Sequence, residues 1–424
     1  MPTSCPGAVP DGRPLAGGFR GVVLDLDGVV YLGDEVIPAA PAALDEVRGL
    51  GVRVAFVTNN SYRPPELVAE KLNRLGVKAA PGEVLTSAQA AVRLLGGREE
   101  LDGVKVLVVG GPGLRQALAK AGARLVDGSA WREAEVVAVG FDPELTYERV
   151  RTATLAIRAG ARFVGSNPDT TLPTPEGLWP GAGATLALLQ ASTGVRPEVA
   201  GKPERALLEE AAAAIGPGLC LMVGDRADTD LDGAHRLGWT TALVLSGVTR
   251  PAELPDLAVA PDQLLADVGG LLDPPGPTIR PTTPADEEAA ARLLASVGDG
   301  RGRRAAGPTS AAEVGLVAVD GERVVGAVAV WRDGGLGTLD GPVVEDGWRD
   351  RLVGTRLLVA ACIHARAAGL ARVAAPDGAG HFLHRLGFRP AGATDPAGVG
   401  DPAGPTGVTG SGAAGPLVRD LRPA

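Results

Sequence analysis

A chain of 424 residues is too long for one ordinary hydrophobic core and predicts two or three domains. Its net charge of −9 argues against a protein that grips nucleic acid through the phosphates, which takes clustered Lys and Arg, but leaves room for a small anion in a locally positive pocket. Cys5, Cys220 and Cys362 form no CxxC pair, the four histidines include no HExxH, and neither a GxSxG elbow nor a P-loop occurs, so a disulfide framework, a zinc hydrolase and a serine hydrolase are poor readings and a reducing cytoplasm is expected.

Residues 1–18 contain no apolar h-region and read as a flexible tail rather than a signal peptide, and no later run approaches the roughly 18–20 apolar residues of a membrane span. From Val22 to about Leu265, apolar β-rich runs alternate with helix-like stretches, the pattern of a parallel, doubly wound α/β sheet. The first unit is a strand at 22–25, a helix near 39–50 and a strand at 52–57. Roughly 140 residues separate Ser61 from Lys202, with strands expected near 104–110, 135–140 and 162–166, enough for an inserted α/β cap over 86–186. The core, 19–85 and 187–272, resumes with a helix near 183–193 and strands at 219–223 and 241–245. The sequence DPPGPT, 273–278, marks a linker. The remaining 279–424 read as a strand, an amphipathic helix, strands at 314–319 and 323–331 and a helix near 351–368, with a Gly-, Pro- and Ala-rich stretch at 389–416 expected to be poorly ordered.

Chemistry concentrates where apolar runs end. Residues 22–30, VVLDLDGVV, set Asp25 and Asp27 one residue apart before Gly28; VRVAFV leads into Thr58, Asn59 and Asn60; Lys202 stands in GKPE; Asp225 follows LCLMVG. Singly, each has an ordinary reading as a solvated turn, a helix N-cap, a surface lysine or an acidic turn. In an open α/β sheet, however, the carboxyl ends of the strands meet, so these segments can share one site. A carboxylate attacking a phosphate dianion meets charge repulsion of roughly 4 kcal/mol per unit pair about 4 Å apart at an effective dielectric of 20. Mg²⁺ held by Asp25 and Asp225, with Lys202 opposite, offsets it. Asp25 then reads as the nucleophile that forms an aspartyl-phosphate, and Asp27 as the acid for the leaving alkoxide and base for the water. The DxD pair needs a bend to share a pocket, and Gly28 can supply it.

With these motifs stated, the chain resembles the haloacid dehalogenase-like (HAD) phosphatase superfamily in its NagD-type branch, carried over about 20–265 by DLDGVVYLGDEVIPAA, FVTNNS, NPDTTLPTPEGLWPGAGA, GKPE and VGDRADTDLDGAHRLGWTTALVLSGVT. The resemblance implies a Rossmann-like core with Mg²⁺ as cofactor, a backbone carbonyl of Asp27 on the metal beside Asp25 and Asp225, and Asp230 supporting that shell. It also implies phosphate held by Thr58 and the amides around Asn59 and Asn60, with Lys202 bridging phosphate and nucleophile. NPDTTLPT, 167–174, is similar to the family's segment near the cap hinge, where substrate selection and plain turn formation are both open.

Residues 279–424 resemble a GNAT-type N-acetyltransferase, an α+β domain, through IRPTTPADEEAAARLL, VVGAVAVW, WRDRLVGTRLLVAACIHARAAGL and HFLHRLGF. There the coenzyme A pyrophosphate sits on a glycine-rich turn opening a helix; here the turn is Arg349–Gly354, with Leu352 in place of the first glycine and Asp350 beside it. Acetyl-CoA binding and a degenerate unit kept for packing, dimerisation or regulation are both open. The two-part layout resembles the actinobacterial glycerol-3-phosphate phosphatases, which implies a small phosphorylated metabolite, glycerol 3-phosphate first, as substrate. Pyridoxal phosphate, a nucleotide or an aryl phosphate is the runner-up, and a bifunctional acetyltransferase or a metabolite-binding regulator the reading from another class. Neither nucleic acid nor membrane is an expected partner; a homodimer is compatible with the sequence.

Overall fold

The computed structural model describes residues 12–174, 176–296, 308–375, 380–391 and 416–421. Most of the tail assigned to 1–18 and most of the stretch 389–416 lie outside them, but the end of that tail is ordered rather than flexible: Leu15–Gly18 form a helical turn that buries Leu15 and Ala16, with the Leu15 N–H on the Asp273 carbonyl at 2.7 Å. The chain divides into two units, 1–248 with 263–275 and 249–262 with 276–424.

The first unit is built on a six-stranded parallel sheet in the order Gln263–Leu265, Thr240–Val244, Cys220–Gly224, Gly21–Leu24, Arg53–Thr58, Val84–Thr86. These strands read as continuous apolar runs because helices cover both faces of a parallel sheet. On one face Leu24, Phe56, Leu221 and Val244 pack with Leu44, Val47 and Leu72 of the helices Ala40–Gly49 and Pro65–Arg74. On the other, Val23, Ala55, Val57 and Met222 pack with Leu207, Leu208 and Ala211 of helix Arg205–Ile215. Gly21–Leu24 is central, and its register sets Leu24 opposite both Phe56 and Val223. Asp25, Thr58 and Asp225 therefore leave the sheet at one edge.

A second parallel sheet in the same unit has the order Glu198–Val199, Arg162–Gly165, Val136–Val139, Lys105–Val109, Arg124–Val126. The expectation that the core resumes at 187 with a helix near 183–193 needs correction. Helix Ala182–Thr193 turns Leu186 and Leu189 into the cluster of Leu107, Val137, Ile157 and Phe163 on this second sheet. Gly165 makes that approach possible, because a Cβ there would lie 2.4 Å from Leu186 Cδ1. The chain rejoins the first sheet's layer only with Arg205–Ile215. Two short hairpins, Tyr31–Leu32 with Glu35–Val36 and Thr171–Thr174 with Gly177–Pro180, were not evident in the sequence pattern.

The second unit holds a separate seven-stranded mixed sheet, ordered Thr278–Pro281, Val314–Asp320, Arg323–Asp333, Leu336–Val344, Arg372–Ala375, Leu417–Asp420, Arg389–Pro390. Its boundary differs from the one expected, since residues 249–262 belong with it rather than with the core. Leu336–Val344 escaped the sequence reading because Gly337, Gly341 and Pro342 interrupt the alternation that marks a strand. It pairs antiparallel with Arg323–Asp333 through a bulge between Ala327 and Ala329, and parallel with Arg372–Ala375. Helix Val353–Ala367 buries Leu357, Leu358 and Cys362 against the sheet; it begins at 353 because Leu352 adopts φ 55°, the left-handed region. Buried Arg356 donates to the Pro277 carbonyl at 3.1 Å and to that of Asp262. No helix among the described residues is long and apolar enough to cross a membrane.

Candidate active site

The carboxyl edge of the first sheet carries a dense charge cluster. The buried side chain of Lys202, 2% exposed, places Nζ between two carboxylates, donating to Asp25 Oδ1 and, at 2.6 Å, to Asp230 Oδ1. Asp25 continues the central strand, its N–H bonded to the Val223 carbonyl at 2.9 Å. Asp230 sits on the helical turn Ala227–Leu231, where its Oδ2 accepts the Arg226 N–H at 3.1 Å. Asp225 accepts the Val248 N–H on Oδ2 at 2.6 Å.

Two glycines give Asp225 its place. Gly28 has φ 83°, and a Cβ there would stand 2.4 Å from Asp225 Oδ2; a Cβ on Gly247 would stand 2.1 Å from the same atom. Gly28 thus provides both the bend after the DxD pair and the room for the carboxylate.

Ligand atoms of Asp25, Asp225 and Asp230 lie within 4.8 Å of one another. Asp230, expected to support the metal shell, is the third carboxylate of this group, and Asp27, expected to offer its backbone carbonyl, contributes no side-chain oxygen to it. Three carboxylates face one ammonium, and the imbalance shows in their acidity. Burial raises the Asp25 carboxyl well above its ordinary range against the pull of Lys202, with Asp230 and Asp225 raising it further. Burial and then Asp230 push Asp225 up to about 6. At Lys202 burial opposes the charge, but Asp230 and Asp25 outweigh it and hold the ammonium above its usual value. A set of hard carboxylate oxygens with surplus negative charge fits a divalent cation such as Mg²⁺.

The Thr58–Asn60 loop is knitted to its surroundings by side chains. Asn59 accepts the Lys202 N–H on Oδ1 at 2.9 Å and donates from Nδ2 to the Lys202 carbonyl at 3.1 Å and to Asp169 Oδ2 at 3.1 Å, so one amide clamps the main chain that carries the lysine. Asn60 donates its N–H to Thr58 Oγ1 at 3.1 Å and receives the Tyr62 N–H on Oδ1 at 2.8 Å. Within NPDTTLPT, Asn167 forms an Asx turn to the Asp169 N–H at 3.1 Å and donates to the Asn59 carbonyl at 2.6 Å. Asn167 and Asp169, within the segment for which substrate selection and turn formation are both open in the sequence, border the site; their signal is a polar Asx-Pro-Asx one residue after a strand. Burial raises the Asp169 carboxyl, while Arg226 lowers it.

Asp27 is open to solvent on the cavity side, and the concave walls still raise its carboxyl, with Lys71, Lys202 and Arg63 pulling the other way. Its turn is closed by the Gly28 N–H on the Tyr31 carbonyl at 2.7 Å and by Ser246 Oγ on the Gly28 carbonyl at 2.7 Å. Asp25, Asp27, Thr58, Asn59, Asn60, Lys202, Asp225 and Asp230 all line one cavity of about 230 Å³, with Leu32, Phe141, Leu172 and Val248 as apolar wall and Asp169, Thr171 and Arg226 as further polar groups.

Residues 22–124 match the family described as haloacid dehalogenase-like hydrolase, and residues 199–271 the one described as HAD-hydrolase-like. The chain is 36% identical over 252 residues to the acid sugar phosphatase of Staphylococcus haemolyticus, covering 59% of this chain and 94% of that protein. Among solved structures it is similar to the glycerol phosphate phosphatase of Mycobacterium tuberculosis in complex with magnesium, at 30% identity and a TM-score of 0.65 over 88% of this chain and 98% of that one. The calcium complex of the same protein gives 31% and 0.66. NagD from Escherichia coli is 27% identical with a TM-score of 0.54, over 59% of this chain and 97% of its own.

Proposed function

The chain belongs to the haloacid dehalogenase-like hydrolase family and is a phosphatase of it, and we propose that it hydrolyses a small phosphomonoester, glycerol 3-phosphate first, through a phosphorylated Asp25. The observation that carries this reading is the ammonium of Lys202 lodged between Asp25 and Asp230, with Asp225 completing the carboxylate group at the carboxyl edge of the sheet.

Lys202 holds Asp25 by Oδ1, which leaves Oδ2 for attack on phosphorus. As the new P–O bond forms, the ester P–O bond breaks and Asp27 gives its proton to the departing alkoxide. Asp27, now a carboxylate, takes a proton from water, the water oxygen attacks phosphorus, and the bond to Asp25 breaks to release inorganic phosphate. Lys202, with Thr58 and the amides around Asn59 and Asn60, faces the phosphoryl oxygens. Asp25, Asp225 and Asp230, with the Asp27 carbonyl, are the oxygens that would hold Mg²⁺, which supplies the charge that lets a carboxylate approach a dianion.

The substrate assignment is supported by size and by likeness. A cavity of about 230 Å³ is smaller than the roughly 300–1,000 Å³ typical of sites for larger ligands, which favours a short alcohol over a nucleotide. The likeness to the mycobacterial glycerol phosphate phosphatase covers 88% of the chain and so runs beyond the first unit. In the C-terminal unit, Leu352 stands at φ 55° where a glycine would let a pyrophosphate close in, and this supports a packing role over acetyl transfer. Phosphate release with Mg²⁺ from glycerol 3-phosphate, pyridoxal phosphate, a nucleotide and an aryl phosphate, beside Asp25→Asn, tests the reading. Preference for glycerol 3-phosphate is expected; magnesium-dependent turnover that survives Asp25→Asn overturns it.

A further inference from the structure

Lys71 lies on helix Pro65–Arg74, outside the carboxylate cluster, yet its side chain is only 13% exposed. Nζ donates to the Gly33 carbonyl at 2.6 Å, stands 3.7 Å over the centroid of the Tyr31 ring and lies 3.7 Å from Asp34 Oδ1. All three partners belong to the hairpin formed by Tyr31–Leu32 and Glu35–Val36. A lysine on a surface helix ordinarily leaves its ammonium in water at the end of a buried stem; this one is drawn down onto a ring face and a carbonyl, an arrangement that attracts a cation from two directions.

The hairpin is the continuation of the Asp27 turn. Gly28 donates to Tyr31, Val30 donates to Leu26 at 2.9 Å, and Leu32 and Gly33 border the same cavity as Asp27. Ser246 secures this segment at Gly28, and Lys71 secures it at Tyr31 and Gly33. We propose that Lys71 is a positioning residue: its clamp on the Tyr31 ring and the Gly33 carbonyl holds the Asp27 turn so that the Asp27 carboxyl meets the oxygen of the leaving group. The inference rests on the role of Asp27 as proton donor given above.

The test uses kcat/KM on two substrates, because that ratio reports the half-reaction in which the ester bond breaks. An alkyl phosphate such as glycerol 3-phosphate expels a strongly basic alkoxide that needs the proton; p-nitrophenyl phosphate expels a weakly basic phenolate that hardly does. Lys71→Met keeps the stem and removes the ammonium. It is expected to lower kcat/KM about 10- to 100-fold on the alkyl ester, a part of the roughly 10²- to 10⁴-fold that general acid catalysis contributes, and less than about threefold on the aryl ester. Lys71→Arg, which restores a cation, is expected to recover most of the loss. A second neutral variant, Lys71→Gln, with thermal melting of all three Lys71 variants, guards against a folding defect read as a catalytic one. Equal losses on both esters, or none, overturn the clamp. Asp27→Asn, run alongside, must show the same alkyl-selective loss more strongly; if it falls equally on both esters, the acid role of Asp27 fails and the clamp with it, whereas a selective Asp27→Asn beside an unselective Lys71→Met removes the clamp alone.

Discussion

Replacing Lys202 with methionine asks whether charge holds this site together. The substitution keeps most of the stem volume, so packing changes little, but it strips the shared cation from Asp25 and Asp230, the second only 2.6 Å from Nζ. A unit charge pair at that separation is worth roughly 6 kcal/mol at an effective dielectric of 20. Part of that attraction is offset by the desolvation of the lysine, which the variant no longer bears, so the net loss should fall near the ~3–5 kcal/mol seen when one partner of a buried pair is removed. In a unit of roughly 260 residues, at ~2–4 °C per kcal/mol, this lowers the melting temperature by the order of 10 °C. Lys202 is the largest influence opposing burial at Asp25, so without it the Asp25 pKa rises further and proton uptake can neutralise the group. The deficit should therefore be greatest in metal-free protein at pH 7.5 and shrink both toward pH 5 and on adding Mg²⁺. Melting of the two proteins across that grid measures it. Equal stability at pH 7.5 without metal, or a deficit independent of pH, refutes the reasoning.

Asp25→Asn is nearly isosteric and should cut magnesium-dependent phosphate release by about 10⁴-fold or more while leaving the fold intact, as far-ultraviolet circular dichroism would show. Gly28→Ala forces a Cβ to within 2.4 Å of Asp225 Oδ2 on a residue at φ 83°; the backbone alone costs about 1–2 kcal/mol, and calorimetric Mg²⁺ affinity should fall as Asp225 is displaced. Asp225, pushed up to about 6 by burial and then Asp230, has a folded pKa above its unfolded value of 3.8, so its contribution to stability is fully present below pH 3.8 and is lost as pH rises through 6, about 3 kcal/mol in metal-free protein. Mg²⁺ should then release protons near pH 5–6, seen as a buffer-dependent binding enthalpy, and should raise the melting temperature more at pH 7.5 than at pH 5; a binding enthalpy independent of the buffer's ionisation heat would count against the coupling.

Apolar runs such as VVL, VAFV and LCLMVG announced the strands because a parallel sheet buried on both faces tolerates little else, and the polar residues that end them were legible for the same reason. For that reason the sequence alone places Asp25, Thr58 and Asp225 at strand ends that meet. What length and pattern left open was which layer a helix that is apolar on several sides joins. Helix Ala182–Thr193 has apolar residues suited to either sheet, and only the space over Gly165 assigns Leu186 to the second. Leu336–Val344 stayed hidden since its glycines and Pro342 erase the alternation, and partners on both sides make it a strand regardless.

By itself, then, the order of residues determined which reactive groups exist and at which strand ends they stand, because those are local properties of composition and period. Only the folded chain decided that Asp230 shares Lys202 with Asp25, that Asn59 clamps the backbone of Lys202, and that Lys71 reaches the hairpin after Asp27. Each of those contacts joins residues 28 to 177 positions apart, counting Lys202 to Asp25 as the longest, and such distances are closed by sheet register and helix packing, which no short stretch of sequence encodes.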